Sequence, residues 1–219
     1  MNAHKQKLKE IKKHLRHIKK SAEEGVITYN SLEQLDDNQY NQAIGKIEYW
    51  KFLQFGDYHY FVARILFLHH IREYSFFAAH QCIESYLKSF LKLRKKIPPR
   101  THSLRNLLGE CRKFALKKDS FIRSVYLTII VDRYDPFYEL PRYPIQRTRP
   151  HKGMYGSEYP TDIYVLDYFI FRMREILTIP KNTYDLIRSK NHIRLIECKE
   201  YYPDLYRLFF SNNVNFPNS

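Results

Sequence analysis

In a chain of 219 residues, 37 Lys and Arg stand against 23 Asp and Glu, a formal net charge of +14; that balance favours anionic partners such as nucleic acid, nucleotides or an acidic protein. Cys82, Cys111 and Cys198 lie far apart without a Cys-x-x-Cys, so neither a disulfide framework nor a thiolate zinc site is indicated, and the six glycines form neither a phosphate loop nor a dinucleotide fingerprint. The N-terminus lacks an apolar signal core and no run reaches the ~18 apolar residues of a membrane span, so a cytoplasmic protein without metal or cofactor is expected.

Residues 1–22 carry Leu8, Ile11, Leu15 and Ile18 at helical spacing among eight Lys and Arg. This is a narrow apolar stripe on a cationic helix. Three roles fit it: a helix docked on its own domain or on a second copy, a nucleic-acid-binding arm, or a membrane-surface helix. The stripe has no aromatic residue, which ranks the membrane role lowest. Ser31 with Gln34 reads as a capping box, and Asp36–Asn38 breaks the pattern. Tyr40, Ala43, Ile44, Ile47 and Trp50 resume a helical stripe toward Gly56, and Asp57 can cap a continuation through His70. Gly56 is then a kink or a break.

A second core helix, about 73–92, is apolar nearly all round, with Phe76, Phe77, Ala79, Ile83, Leu87, Phe90 and Leu91. Such a helix belongs at the centre of a bundle. It ends before Pro98-Pro99, and further helices are predicted over about 103–117 and 121–134. Pro136, Pro141, Pro144, Pro150 and Pro160 then imply a long ordered loop. A last core helix spans about 162–177, and the tail beyond Pro180 has short helical patterns at 184–189 and 195–210. Nothing alternates as strands do, so the fold class is all-α. The organisation expected is a basic extension over 1–35, a helical bundle over 36–180 and a helical tail over 181–219.

Three short patterns stand in order on these helices: Ala63-Arg64, Gln81-x-x-Glu84-x-x-x-Lys88, and Thr101-His102-x-Leu104. Tyr138, Arg142-Tyr143-Pro144 and Tyr159-Pro160 follow. Together they resemble the HEPN family, small helical domains of prokaryotic toxins, RNA-processing factors and nucleotide-binding modules. The resemblance covers roughly 46–178. It departs at His59, where the family has an acidic residue, and at His70, where it has a small one. It implies an up-down bundle, a symmetric homodimer, and RNA or nucleotide as ligand, in a toxin–antitoxin or defence setting. A nucleotidyltransferase-like protein is a further partner it suggests.

Enzymatic members of that family are metal-independent ribonucleases with an Arg-x(4–6)-His motif on a late helix. There, His moves a proton at a ribose hydroxyl and Arg stabilises charge on the phosphate. The helix over 121–134 here holds Arg123 and Arg133 but no His, while Arg147/His151 and Arg188/His192 are one residue short. Arg64 with His69 or His70 has the spacing, on the first core helix and with apolar residues after the Arg. Chance explains that pair, and Arg64/His69 stands only as a fallback catalytic pair. The resemblance therefore implies binding without catalysis; a ribonuclease with a displaced Arg/His pair, or a pure interaction and dimerisation module, are the alternatives.

His80, Glu84 and Lys88 fall at i, i+4 and i+8 on one helix face, with Glu before Lys in the favourable order. They form either a packing device or, with His102, Arg142 and Tyr143, a ligand-binding set. Arg94, Lys95, Lys96 and Arg100 surround the Pro98-Pro99 turn, and Arg147 and Arg149 lie among aromatics in the Pro-rich loop. Cations beside aromatics suit phosphates with stackable bases, and equally a solvated loop.

Overall fold

The structure is a computed structural model that describes residues 13, 16, 35–138, 162–187 and 199–216. It divides into two compact units, Met1–Lys46 and Ile47–Ser219. Every regular element among the described residues is helical, as the periodicities require. The basic stripe of 1–22 and the Ser31–Gln34 box lie essentially outside the described residues.

In the first unit α1 spans Asp37–Gly45. Asp36–Asn38, expected to break a helix, instead starts one. The Asp36 carboxylate accepts from Gln39 N at 2.8 Å and the Gln39 side chain accepts from Asp36 N at 3.3 Å. This reciprocal box turns the residues that disfavour a helix interior into its N-terminus.

The second unit is built on an antiparallel pair, α2 (Tyr49–Leu68) and α3 (Arg72–Leu93). Helix α2 runs through Gly56 without a break. The glycine is there for close approach: a Cβ would sit 2.6 Å from Cδ2 of the buried Tyr86. Ala63 plays a similar part further along, where Ser75 Oγ donates to its carbonyl at 2.7 Å. The turn passes through His70 in the left-handed region, φ 61°, which explains why a small residue is favoured there. Helix α3 is buried on nearly all sides, as its sequence predicts. Lys95, φ 57°, lets Lys96 N reach Leu91 O at 2.9 Å, a left-handed C-terminal stop.

Helix α4 (Leu104–Lys113) is capped by Ser103 and stops four residues before the predicted end at Lys117. The single helix expected over 121–134 is two: α5 (Ser120–Arg123) and α6 (Val125–Tyr134). Ser124 is extended between them and accepts from Leu127 N at 3.2 Å as the cap of α6. Arg112 from α4 reaches the freed carbonyls of Ile122 and Ser124, both at 3.2 Å. Those contacts compensate the break, and hydrophobic spacing carries no trace of them. A 3-10 turn over Asp135–Tyr138 follows, then α7 (Asp162–Ile176) and α8 (Pro203–Phe210). The helix expected over 184–189 is a turn at its described residues. There Asp185 accepts from Arg174 at 2.8 Å and from Ile187 N at 3.1 Å. Cys82 and Cys111 are buried core thiols.

Two buried polar networks cross this unit. Asp57 accepts from Tyr86 at 2.5 Å and Arg174 at 2.7 Å. Burial pushes its carboxyl up to about 7, against the pull of Arg174 and Tyr86. In the second network Arg64 donates to Asp167 at 2.5 Å, Phe209 O at 2.6 Å and Ser211 O at 2.8 Å. Tyr60 completes the set on Asp167 at 2.6 Å, and Asn213 donates to Tyr60 Oη at 2.8 Å. Arg64 thus caps the C-terminal end of α8, where exposed carbonyls favour a cation. Phe209, Phe210 and Phe216 pack into the same core as α2 and α7.

Candidate functional site

Glu84 is the centre of the side-chain cluster that joins α3, the start of α4 and the 3-10 turn. It lies in the middle of α3 and is only 5% exposed. Its Oε1 accepts from Lys88 Nζ at 2.7 Å, one turn on. His102, two residues before α4, places Nδ1 at 3.2 Å from Oε1 and 3.1 Å from Oε2. His80, one turn before Glu84, puts Nε2 at 3.6 Å from Oε2, too far for a hydrogen bond, while its Nδ1 lies 3.1 Å from Tyr134 O. The Tyr138 ring stacks on His102 with centroids 4.2 Å apart and planes at 12°. Ser103 then starts α4, and Asp135 accepts from Leu104 N at 2.6 Å, fixing the 3-10 turn against the start of α4.

Burial alone would raise the Glu84 carboxyl. The His102 hydrogen bond, the nearby His80 ring and the Lys88 ammonium outweigh it and hold the group well below the usual carboxylate range. The site therefore favours a carboxylate under a partly open rim. His102 is the open member, its side chain 50% exposed, while that of Lys88 is 14% exposed. On the neighbouring helix α2, His59 has a buried Nε2 without a hydrogen-bond partner. Burial pushes that imidazole below its ordinary value, against the attraction of Glu84.

The four predicted residues His80, Glu84, Lys88 and His102 are brought together. Arg142 and Tyr143 of the same set lie outside the described residues, as do Arg147 and Arg149. Tyr138 joins the cluster through its stack on His102; its place before Arg142 in the family pattern was the available signal. Arg64 and His69 do not converge. Arg64 is 1% exposed and committed to Asp167 and the α8 carbonyls, whereas His69 is exposed at the end of α2. A separation of five residues turns a helix through about 140°, which puts the two on different faces.

The turn after α3 divides by role. Arg94 is ion-paired with the buried Asp119, and Asp119 also accepts from Leu116 N at 2.8 Å. Lys95, Lys96 and Arg100 are exposed, and Lys96 Nζ sits 4.7 Å from the centroid of the Phe114 ring. Ten residues separate Glu84 from Arg94, about 15 Å along the helix. Among the described residues no group of three His, Cys, Asp or Glu could hold a metal ion, and no helix is long and apolar enough to cross a membrane.

Neither the curated proteins nor the solved structures hold a match to this chain. Among protein families, the model of the HEPN domain matches residues 49–182, from the first residue of α2 past the end of α7 and through the whole Glu84 cluster, and the chain belongs to the HEPN domain family.

Proposed function

We propose that this HEPN domain binds RNA or a nucleotide at the Glu84–His102 end of its bundle and does not cleave it. The observation that carries the reading is a buried Glu84 holding a half-exposed, aromatic-backed imidazole and a lysine at one point. The chain continues from Tyr138 directly into Arg142, Tyr143, Arg147 and Arg149, and the net charge of +14 favours a polyanion. Arg64 is spent on the core, which removes support from Arg64/His69 as a ribonuclease pair. A cytoplasmic toxin–antitoxin or defence setting accords with the family.

Titration of a fluorescent single-stranded RNA at several salt concentrations tests this. Affinity is expected to fall steeply with salt, because bound phosphates release counterions. Reversing Lys95 and Lys96 to Glu, on an exposed turn, is expected to weaken binding and flatten the salt slope while the thermal midpoint holds. Deleting residues 1–22, with their eight Lys and Arg, is expected to act in the same direction. Binding that ignores both salt and these changes would dismiss the reading.

A second reading is association with a second copy or with a partner such as a nucleotidyltransferase-like protein. Its support is the outer face of α6, where Val125, Tyr126 and Ile129 are 64%, 63% and 59% exposed. Light scattering on wild-type protein and on Ile129→Asp separates a dimer through this face from a monomer.

A further inference from the structure

We infer that the turns after α3 and α4 form one lysine pad, Lys95 and Lys96 with Lys117 and Lys118, that grips the phosphate backbone of a nucleic-acid strand. This rests on the RNA-or-nucleotide reading above and narrows its ligand from a nucleotide to a strand.

Asp119 builds the pad. Leu116–Asp119 is a tight turn, closed by Asp119 N donating to Leu116 O at 3.0 Å and by Leu116 N donating to the Asp119 carboxylate at 2.8 Å. Lys117 and Lys118 hold its two central positions and are exposed. The same carboxylate, 1% exposed, accepts from Arg94, so its charge is spent inside and the turn is tied to the end of α3. Lys96 over the Phe114 ring at 4.7 Å is a second tie. Arg123 donates to Ala115 O at 2.5 Å and holds the turn to α5. Arg94 is thus a strut, while Lys95, Lys117 and Lys118 have no ion-pair partner among the described residues. Ammonium groups that no neighbouring acid neutralises, on two turns fixed against each other, complement a row of phosphates.

The pad is joined to the Glu84 cluster along the surface. Helix α4 starts beside that cluster and ends at Lys113, next to the pad, 10 residues or about 15 Å on. The chain between Arg94 and Leu104 covers the same interval in return, and Lys95, Lys96, Ile97, Arg100 and His102 are exposed along it. A stacked strand advances about 3.4 Å per nucleotide, so roughly four to five nucleotides reach from one place to the other. A mononucleotide fills only one of them. The ring at the pad, Phe114, is half-buried beneath Lys96 and offers no face to a base. The pad therefore reads phosphates and is indifferent to sugar and sequence. Ile97 and Leu116 are exposed among the lysines, but two aliphatic side chains without an exposed aromatic ring make too small an apolar face to favour a lipid surface.

The test uses the full-length chain with a ribonucleoside monophosphate, a dinucleotide and labelled single strands of about four, eight and twelve nucleotides, each strand as RNA and as DNA. Affinity is expected to climb with length and to level off by about eight nucleotides, once both places are filled. Lys117→Gln with Lys118→Gln lies on an exposed turn, so the thermal midpoint should hold. The double variant is expected to bind the longest strand about tenfold more weakly, by the same factor for RNA and DNA, and to lose about 1.4 from the salt slope, at about 0.7 per phosphate contact. Its binding of the mononucleotide should be unchanged. A mononucleotide that binds as tightly as the longest strand, or strand binding that survives the double substitution, overturns the pad and leaves binding at the Glu84 cluster standing. Vesicles of phosphatidylserine and phosphatidylcholine that outcompete every strand, and that the double variant no longer binds, make the pad a lipid contact and overturn the inference as well. Failure of every strand and nucleotide to bind overturns the binding reading itself, and this inference with it.

Discussion

Arg64→Ala is expected to cost about 3–5 kcal/mol, the range for removing one partner of a buried ion pair. At roughly 2–4 °C per kcal/mol for a chain of this size, the thermal midpoint falls by roughly 6–20 °C. Three separate losses combine. Asp167 is left as a buried carboxylate without its guanidinium, and the carbonyls of Phe209 and Ser211 lose their donor. The packing of the Arg64 side chain against Phe209 goes with them. The loss should also depend on pH. Burial already pushes the Asp167 carboxyl up to about 6, against the pull of Arg64 and Tyr60. Without Arg64 it rises further, so the folded mutant holds a proton that the unfolded chain gives up above about 4. A raised carboxyl favours the folded state below its folded value, and that advantage disappears as pH rises through it. The deficit of Arg64→Ala should therefore be larger at pH 8 than at pH 5. Thermal unfolding of both proteins at the two pH values checks this, with limited proteolysis reporting whether the segment from 199 onward is released first. An effect under about 0.5 kcal/mol, the scale of an exposed pair, would show that Arg64 does not anchor α8.

Arg64 also shows where sequence stops being informative. Its place in an Ala-Arg pair late in a helix was legible, and so was the family. Its partners are not, because Asp167 is 103 positions away and Phe209 145. No spacing rule relates an arginine on the first core helix to backbone carbonyls in the tail. The Glu84 cluster was more legible for the converse reason. His80, Glu84 and Lys88 are neighbours on one helix, so their common face follows from 3.6 residues per turn. His102 is 18 positions from Glu84, and only the family pattern linked them. The elements followed the same logic. Helices α3 and α7 follow from apolar periodicity because they are long and bury their stripes, whereas the single stripe read from Tyr40 through Trp50 toward Gly56 is interrupted at 46–48, between α1 and α2, and Asp57 lies inside α2 instead of capping a continuation. The split between α5 and α6 was invisible because Ser124 and Arg112 cause it through hydrogen bonds, not through a change in hydrophobic spacing. At Asp36–Asn38 the residue types read as a breaker, whereas their position makes them a helix start.

Glu84→Ala is the substitution expected to do most damage at the candidate site, with a loss of about 3–5 kcal/mol because the carboxylate is buried. It leaves the Lys88 ammonium, only 14% exposed on its side chain, without its carboxylate partner and frees His102 from its grip. Glu84→Gln keeps the shape and one acceptor oxygen and should lose less. Lys88→Met in the Glu84→Ala background removes the stranded ammonium and should recover part of the loss, so a double-mutant cycle reads the pair directly. The pH dependence gives an independent check. The Glu84 carboxyl is held well below its ordinary value by His102, His80 and Lys88 despite burial. A depressed carboxyl contributes its stability above the unfolded value, about 4.3 for Glu, and loses it as pH falls from there toward the folded value. Wild-type protein should therefore lose stability more steeply between about pH 4.5 and pH 2.5 than Glu84→Gln, and the two curves should converge at the acid end. Parallel curves across that window, or a coupling energy near zero between Glu84 and Lys88, would mean that the cluster neither organises the bundle end nor holds His102 in place.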